Sequence, residues 1–144
     1  MSERSWKLIS LALLIWSVGI TSLYLSHALS THESGFVTVN VAINYGDGRV
    51  EWHNGTLIPK GSTLLEVTQE VAEVNFTVHT GMGAFVNSIN GVENEDPFYW
   101  MWWCWSPSSG WTLGPVAADK YVVSDGEILM WYYENASRYP PPKP

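Results

Sequence analysis

Cysteine and charge are both scarce in this chain, and each scarcity closes off a class of protein. One Cys among 144 residues excludes an intramolecular disulfide and any multi-cysteine metal site. Only 15% of the residues are charged, against about 25% in a typical soluble chain. Basic residues are the scarcer sign, with 7 Lys and Arg against 14 Asp and Glu and a formal net charge of −7. Nucleic-acid affinity rests on a basic footprint, so nucleic acid is excluded as a partner. Gly-x-Ser-x-Gly, phosphate-loop and dinucleotide fingerprints are missing as well. Aromatic residues are what the chain has in surplus. It carries nine Trp, and Trp100, Trp102, Trp103, Trp105 and Trp111 fall within twelve residues of one another. Hydrophobic residues reach 46%, enough to build a core and to exclude global disorder.

The first thirty residues read as a membrane address. Arg4 and Lys7 precede an uncharged run from Leu8 to Leu25, LISLALLIWSVGITSLYL. As a helix this run would span about 27 Å, just short of a hydrocarbon core of about 30 Å. A signal peptide has a shorter apolar stretch, about 7–15 residues, so length favours a retained anchor. Ser26-His27-Ala28 has the small–x–small pattern of a cleavage site and favours a cleaved signal. Both readings put the N-terminus in the cytoplasm and the rest outside, because the positive charges lie only before the apolar run. The expectation is an extracytoplasmic protein, membrane-anchored by its N-terminal helix or secreted. Asn54-Gly55-Thr56, Asn75-Phe76-Thr77 and Asn135-Ala136-Ser137 are sequons that export would make available for glycosylation.

Beyond a polar tether, Phe36 to Ile43 carries β-branched residues in partial alternation and reads as a strand. Asn44-Tyr45-Gly46-Asp47-Gly48 is a hairpin signal, followed by a returning strand from Arg49 toward Ile58. Pro59 to Ser62 breaks the chain. Thr63 then stands three residues before Glu66, the capping-box spacing. Leu64, Leu65, Val67, Val71, Ala72 and Val74 make one apolar side, opposite Glu66, Gln69, Glu70 and Glu73. The pattern predicts an amphipathic helix of about three turns lying on a sheet. Strands are expected at Phe76–Val78, Ala84–Ile89, Phe98–Trp105 and Glu127–Tyr133, with Trp111–Asp119 irregular and the Tyr139–Pro144 tail extended. The order predicts an α+β domain over residues 36–134: a mixed sheet of β-grasp type with one amphipathic helix on one face, preceded by the N-terminal apolar helix over 1–30 and followed by a proline-rich tail over 135–144.

The segments NYGDGRVEW, IPKGSTLLEVTQEVAEV, GMGAFVNSINGVEN, FYWMWW and VSDGEILMWYY, in that order and spacing, resemble the transcobalamin-C-terminal-like β-grasp family. That family is a domain of unknown function in exported bacterial and archaeal proteins. The resemblance covers about residues 36–134. In vitamin-carrying relatives a domain of this kind closes over a corrinoid held mainly by a separate helical domain. The present sequence holds one domain only and inserts Cys104 to Trp111 where the family has a short polar hairpin. The resemblance therefore implies a binding module without itself implying corrinoid carriage.

Alternate side chains of a strand face opposite ways. Phe98, Trp100, Trp102 and Cys104 share one face, and Tyr99, Met101, Trp103 and Trp105 the other. A single helix covers one face. The other is either covered by the Trp111–Asp119 segment or presents an aromatic platform to a small ligand (corrinoid-like or carbohydrate), to a surface protein, or to the bilayer surface. The candidate ligand-binding residues are Tyr99, Trp100, Trp102, Trp103, Trp105 and Trp111. Cys104 reads as a small core hydrophobe, with no cation nearby in sequence to activate it. The four His lack ligand spacing, and Glu93, Glu95 and Asp96 form a hydrated acidic loop without the order of a calcium loop. No metal ligand set, cofactor motif or catalytic residue emerges. The leading expectation is a non-enzymatic binding module, with a structural or assembly role at the cell surface as the alternative.

Overall fold

A computed structural model describes residues 35–138, 140, 143 and 144; the N-terminal address lies outside the described residues. Among the described residues eight strands and one helix follow one another: β1 (Phe36–Asn44), β2 (Val50–Pro59), α1 (Leu64–Val71), β3 (Val74–His79), β4 (Gly83–Ile89), β5 (Val92–Glu93), β6 (Phe98–Ser106), β7 (Gly110–Leu113) and β8 (Ile128–Asn135). The strands form two sheets where the sequence predicts one. A five-stranded mixed sheet runs β2-β1-β8-β6-β7, and β3-β4-β5 form a three-stranded antiparallel sheet. The mixed character comes from one contact, the parallel pairing of β1 with β8, while β6 meets β8 antiparallel.

The hairpin between β1 and β2 forms where the glycines put it, with Gly46 and Gly48 at positive φ. The capping box also forms. The Thr63 amide donates to Glu66 Oε2 at 2.7 Å and the Glu66 amide to Thr63 Oγ1 at 3.3 Å. The helix itself spans eight residues rather than three turns. Ala72 is already extended, and Val74, read from sequence as part of the apolar helical stripe, instead pairs with Ile89 in the second sheet. A ladder partner won over helical periodicity. The stretch after the Ser106–Gly110 turn is also more regular than expected, since Gly110–Leu113 returns along β6 as β7.

One core joins all of this. Val37, Val39, Val41 and Ile43 of β1, Leu129 and Trp131 of β8, and Trp100 and Trp102 of β6 face Leu64, Leu65 and Val67 of the helix. Val86 and Ile89 of β4 and Ala118 and Val123 of the 114–127 segment enter the same cluster. Helix, second sheet and connecting segment thus cover one face of the large sheet. Thr68, fully buried, fixes the helix to that face: its hydroxyl donates to the Leu64 carbonyl at 2.7 Å and accepts the Trp131 indole N–H at 2.8 Å.

Candidate functional site

β6 is flanked by β8 along Phe98–Cys104 but by β7 only along Trp103–Ser106. Its Trp100–Trp102 stretch therefore has a free edge, and the edge of β4 lies across from it. Between them is an open cavity of about 290 Å³. Gly83, Ala84, Phe85 and Val86 line one side and Trp100, Met101 and Trp102 the other, with Leu113, Val116 and Ala117 at its end. Consecutive residues point to opposite faces of a strand, so a cavity lined by whole runs of them sits between strand edges.

The walls are held firmly. Trp102 donates its indole N–H to the Val116 carbonyl at 2.9 Å and lies against Tyr121, ring centroids 4.6 Å apart. Gly114 lies against the same indole, where a Cβ would fall on the ring itself. Trp100 donates its indole N–H to the Val92 carbonyl at 2.8 Å and packs between Tyr45 and Tyr133. Asp119 accepts the Ala84 amide at 2.7 Å, and that bond, with Lys120 3.1 Å away, holds its carboxyl below the usual range. Tyr121 donates to Glu127 at 2.5 Å; burial first, and then that carboxylate, push its phenol up.

Of the six aromatic residues singled out from sequence, Trp100 and Trp102 line this cavity. Tyr99 is half-buried beside it, its ring edge-on to Phe85 at 6.4 Å. Trp103 is buried on the face turned away from the helix, where its indole N–H reaches Glu134 at 3.3 Å. Trp105, 41% exposed, stands opposite half-buried Trp111 on the β6–β7 hairpin, away from the cavity. Phe85, Met82, Met101 and Leu113, which the sequence did not single out, line it as well, as does His79. A sequence signal for this rim is Gly81-Met82-Gly83, where a large apolar side chain sits between two glycines; Met82 is 74% exposed. Cys104 is half-buried, its sulfur 3.1 Å from the Thr112 hydroxyl.

Glu134 was also missed, because the last strand was expected to end at Tyr133. It is 2% exposed, its Oε2 has no partner, and burial pushes its carboxyl up to about 7 against the smaller opposing effect of the Trp103 N–H. Among the described residues no group of three or more His, Cys, Asp or Glu could hold a metal ion, and no helix is long and apolar enough to cross a membrane. Of the sequons, Asn54 is exposed on β2, Asn75 donates to Ser88, and Asn135 accepts the Ser137 amide and hydroxyl.

Comparison with known proteins places the fold. The family described as Domain of unknown function (DUF4430) matches residues 61–135. Haptocorrin, in a crystal structure in complex with Cbi, is similar with a TM-score of 0.52 and 18% identity over 71% of this chain. The match covers 26% of haptocorrin, so this chain spans about a quarter of that protein. A protein of Ruminococcus gnavus ATCC 29149 that carries a provisional metal-binding name is similar over 69% of this chain and 97% of its own, with a TM-score of 0.50 and 15% identity. No curated protein sequence matches. At this level the resemblance read from sequence holds, as a family of unknown function whose fold is shared with haptocorrin.

Proposed function

We propose that this chain, which belongs to the DUF4430 family, is a non-enzymatic binding module that takes a ligand in the cleft between β4 and β6. The observation that carries this reading is the cavity itself, about 290 Å³ with an apolar lining and two fixed indoles in its wall. Concave apolar sites with a few convergent polar groups are the usual form of a ligand site. The fold is also one whose solved neighbours include haptocorrin in complex with Cbi and a protein provisionally named for metal binding. We read the domain as transcobalamin-like and of β-grasp type. It works outside the membrane, tethered by residues 8–25 or released from them, because the positive charges precede that run.

Trp100 and Trp102 make the test direct. Intrinsic fluorescence of the chain is titrated with corrinoids, oligosaccharides and short apolar peptides, alongside Met82→Asp at the exposed rim and Trp105→Ala on the distant hairpin. A saturable emission change lost in M82D and kept in W105A is the expected result. No change with any compound, or equal responses in both variants, overturns the cleft as the site. A second reading, protein contact at the cell surface, is favoured by the exposed apolar groups outside the cleft, Trp52, Leu57 and Trp105. It predicts self-association or a bound partner that W105A disrupts.

A further inference from the structure

The three-stranded sheet has a face of its own, turned away from the core. Ala84, Val86 and Ile89 of β4 pack inward, with Val74 and Phe76 of β3 beside them. Strand alternation turns Asn75 and Thr77 of β3 outward. Asn75 stands opposite Ser88, which stands opposite Glu93 of β5, so the three form one row across the sheet. The register of β3 on β4 slips between Val86 and Ser88. That bulge, with Asn87 as the extra residue, sets Asn87 and Ser88 side by side on the same face. Both line an open hollow of about 360 Å³ together with Asn75, Phe85, Glu93 and Asn94.

The side chains of this hollow are held in place and still have hydrogen-bonding capacity. Asn75 donates its Nδ2 to the Ser88 hydroxyl at 3.0 Å, and Asn87 donates its own to Thr77 Oγ1 at 2.8 Å. Among the described residues no side-chain hydrogen bond or ion pair uses Asn75 Oδ1, Asn87 Oδ1 or the Glu93 carboxylate. The proton of the Ser88 hydroxyl likewise has no acceptor among them, although Ser88 is only 3% exposed. Asn94 is engaged at both ends, with the Val86 carbonyl and the Trp100 amide, and is a fixed wall. Phe85 brings an apolar ring to this polar setting. It is 43% exposed and lies edge-on to His79 and Tyr99, at 6.4 Å from each.

We propose that this hollow is a second binding site, separate from the cleft between β4 and β6, and that it takes a neutral pyranose unit of a carbohydrate. An anion is disfavoured, because Glu93 lines the hollow and no Lys, Arg or His does. An apolar molecule would leave two amide oxygens, a carboxylate and a buried hydroxyl unmet. A hard cation takes about 6–8 oxygens, more than these side chains bring. A pyranose meets each group. Neighbouring sugar hydroxyls donate to the Asn75 and Asn87 amide oxygens and to the Glu93 carboxylate, the last a charge-assisted bond. A sugar oxygen accepts the Ser88 proton, and the C–H face of the ring lies on Phe85.

The test uses the full chain and the methyl pyranosides of glucose, galactose, mannose and N-acetylglucosamine, with glucuronic acid as the anionic control. Calorimetry reads affinity. The side-chain amide resonances of Asn75 and Asn87 locate the sugar, with exposed Asn54 on β2 as the reference. The expected result is a pyranoside that saturates in about the millimolar range and shifts Asn75 and Asn87 but not Asn54. Asn87→Ala and Glu93→Ala should each weaken it by about fivefold or more, while Met82→Asp at the rim of the cleft leaves it unchanged. Failure of every pyranoside to saturate, full affinity in both N87A and E93A, or glucuronic acid bound as tightly as the neutral sugar overturns the proposal. A pyranoside lost in M82D and kept in N87A and E93A lies in the cleft, which overturns the hollow as its site and leaves the cleft reading standing. Saturation that M82D does not alter and N87A and E93A weaken supports the hollow, whatever the cleft itself binds.

Discussion

Gly114→Ala is the substitution on which the geometry of the cleft depends most sharply. Gly114 is not at positive φ, so a Cβ there carries no backbone penalty of its own, and the whole effect is steric. The added carbon would lie under 3.0 Å from Trp102 Cε2, Cδ2 and Cζ2, a distance real Cβ atoms essentially never show. Ordinary carbon contact lies at about 3.5–4.0 Å, so the indole must retreat by about 1.5 Å. Tyr121 lies on it at 4.6 Å and its N–H is fixed to the Val116 carbonyl, so the ring can retreat only by giving up that bond and entering the cleft it lines. Overpacking a fixed core costs about 1–3 kcal/mol. Tearing the indole N–H from Val116 adds about 1 kcal/mol. The sum, about 3 kcal/mol, is a large share of the 5–15 kcal/mol typical of a domain.

Urea unfolding followed by Trp emission measures the effect, with Gly35→Ala as the matched control. A Cβ at Gly35 meets only Lys60, at an ordinary 3.7 Å, and G35A should unfold within about 0.5 kcal/mol of the parent. G114A should lose about 3 kcal/mol and, even where folded, respond less to any cleft ligand, because the displaced indole is a cavity wall. If G114A matches G35A in stability, the packing of the 114–116 segment over Trp102 is wrong, and the description of the cleft falls with it.

Two carboxyls should give pH profiles of opposite sign. Glu134 is raised to about 7 in the folded chain, so folding takes up a proton between pH 4.5 and 7 and its contribution is lost as pH rises through that window. Glu134→Gln should flatten that slope and gain about 1–3 kcal/mol at pH 8, read as a shift in urea midpoint; an unchanged pH profile refutes the burial argument. Asp119 is lowered, by the Ala84 amide first and Lys120 second, so its contribution is present above the ordinary carboxylate range and lost in acid as pH falls through its folded value. Asp119→Ala should leave the Ala84 amide without its acceptor at a cost of about 1–3 kcal/mol at pH 7, and a neutral outcome in the same unfolding assay would count against that bond.

The residues that explained themselves locally were legible. Asp47 between two glycines makes a hairpin, and Thr63 with Glu66 makes a cap, because each motif carries its own hydrogen bonds. Alternation along Phe98–Trp105 separates Trp100 and Trp102 from Trp103, since the strand period is a property of one chain segment. What was not legible depends on a second segment. Val74 left the helix for a partner fifteen residues away. Glu134 became buried because β8 runs on to Asn135, opposite Phe98. The cavity needed both: its two walls come from sheets whose edges meet only in three dimensions, and no sequence period announces such a meeting.

The same logic explains why a gap exists there at all. β7 could have continued along β6 and closed the edge from Trp102 to Trp100. The pairing goes one bond further, from the Gly114 amide to the Trp102 carbonyl, and ends where the chain bends at Pro115, which has no N–H to continue it. The return bond from the Trp102 amide to the Gly114 carbonyl is not formed. Across the gap, Asp119 and Asn94 each satisfy one backbone group of β4 with a side chain, where a neighbouring strand would satisfy them all. A sheet edge capped at its ends by side chains is protected against indiscriminate pairing. Pro115, Asn94 and Asp119 thus act together. One keeps β7 from filling the cleft, and the other two set how much of it a ligand can use.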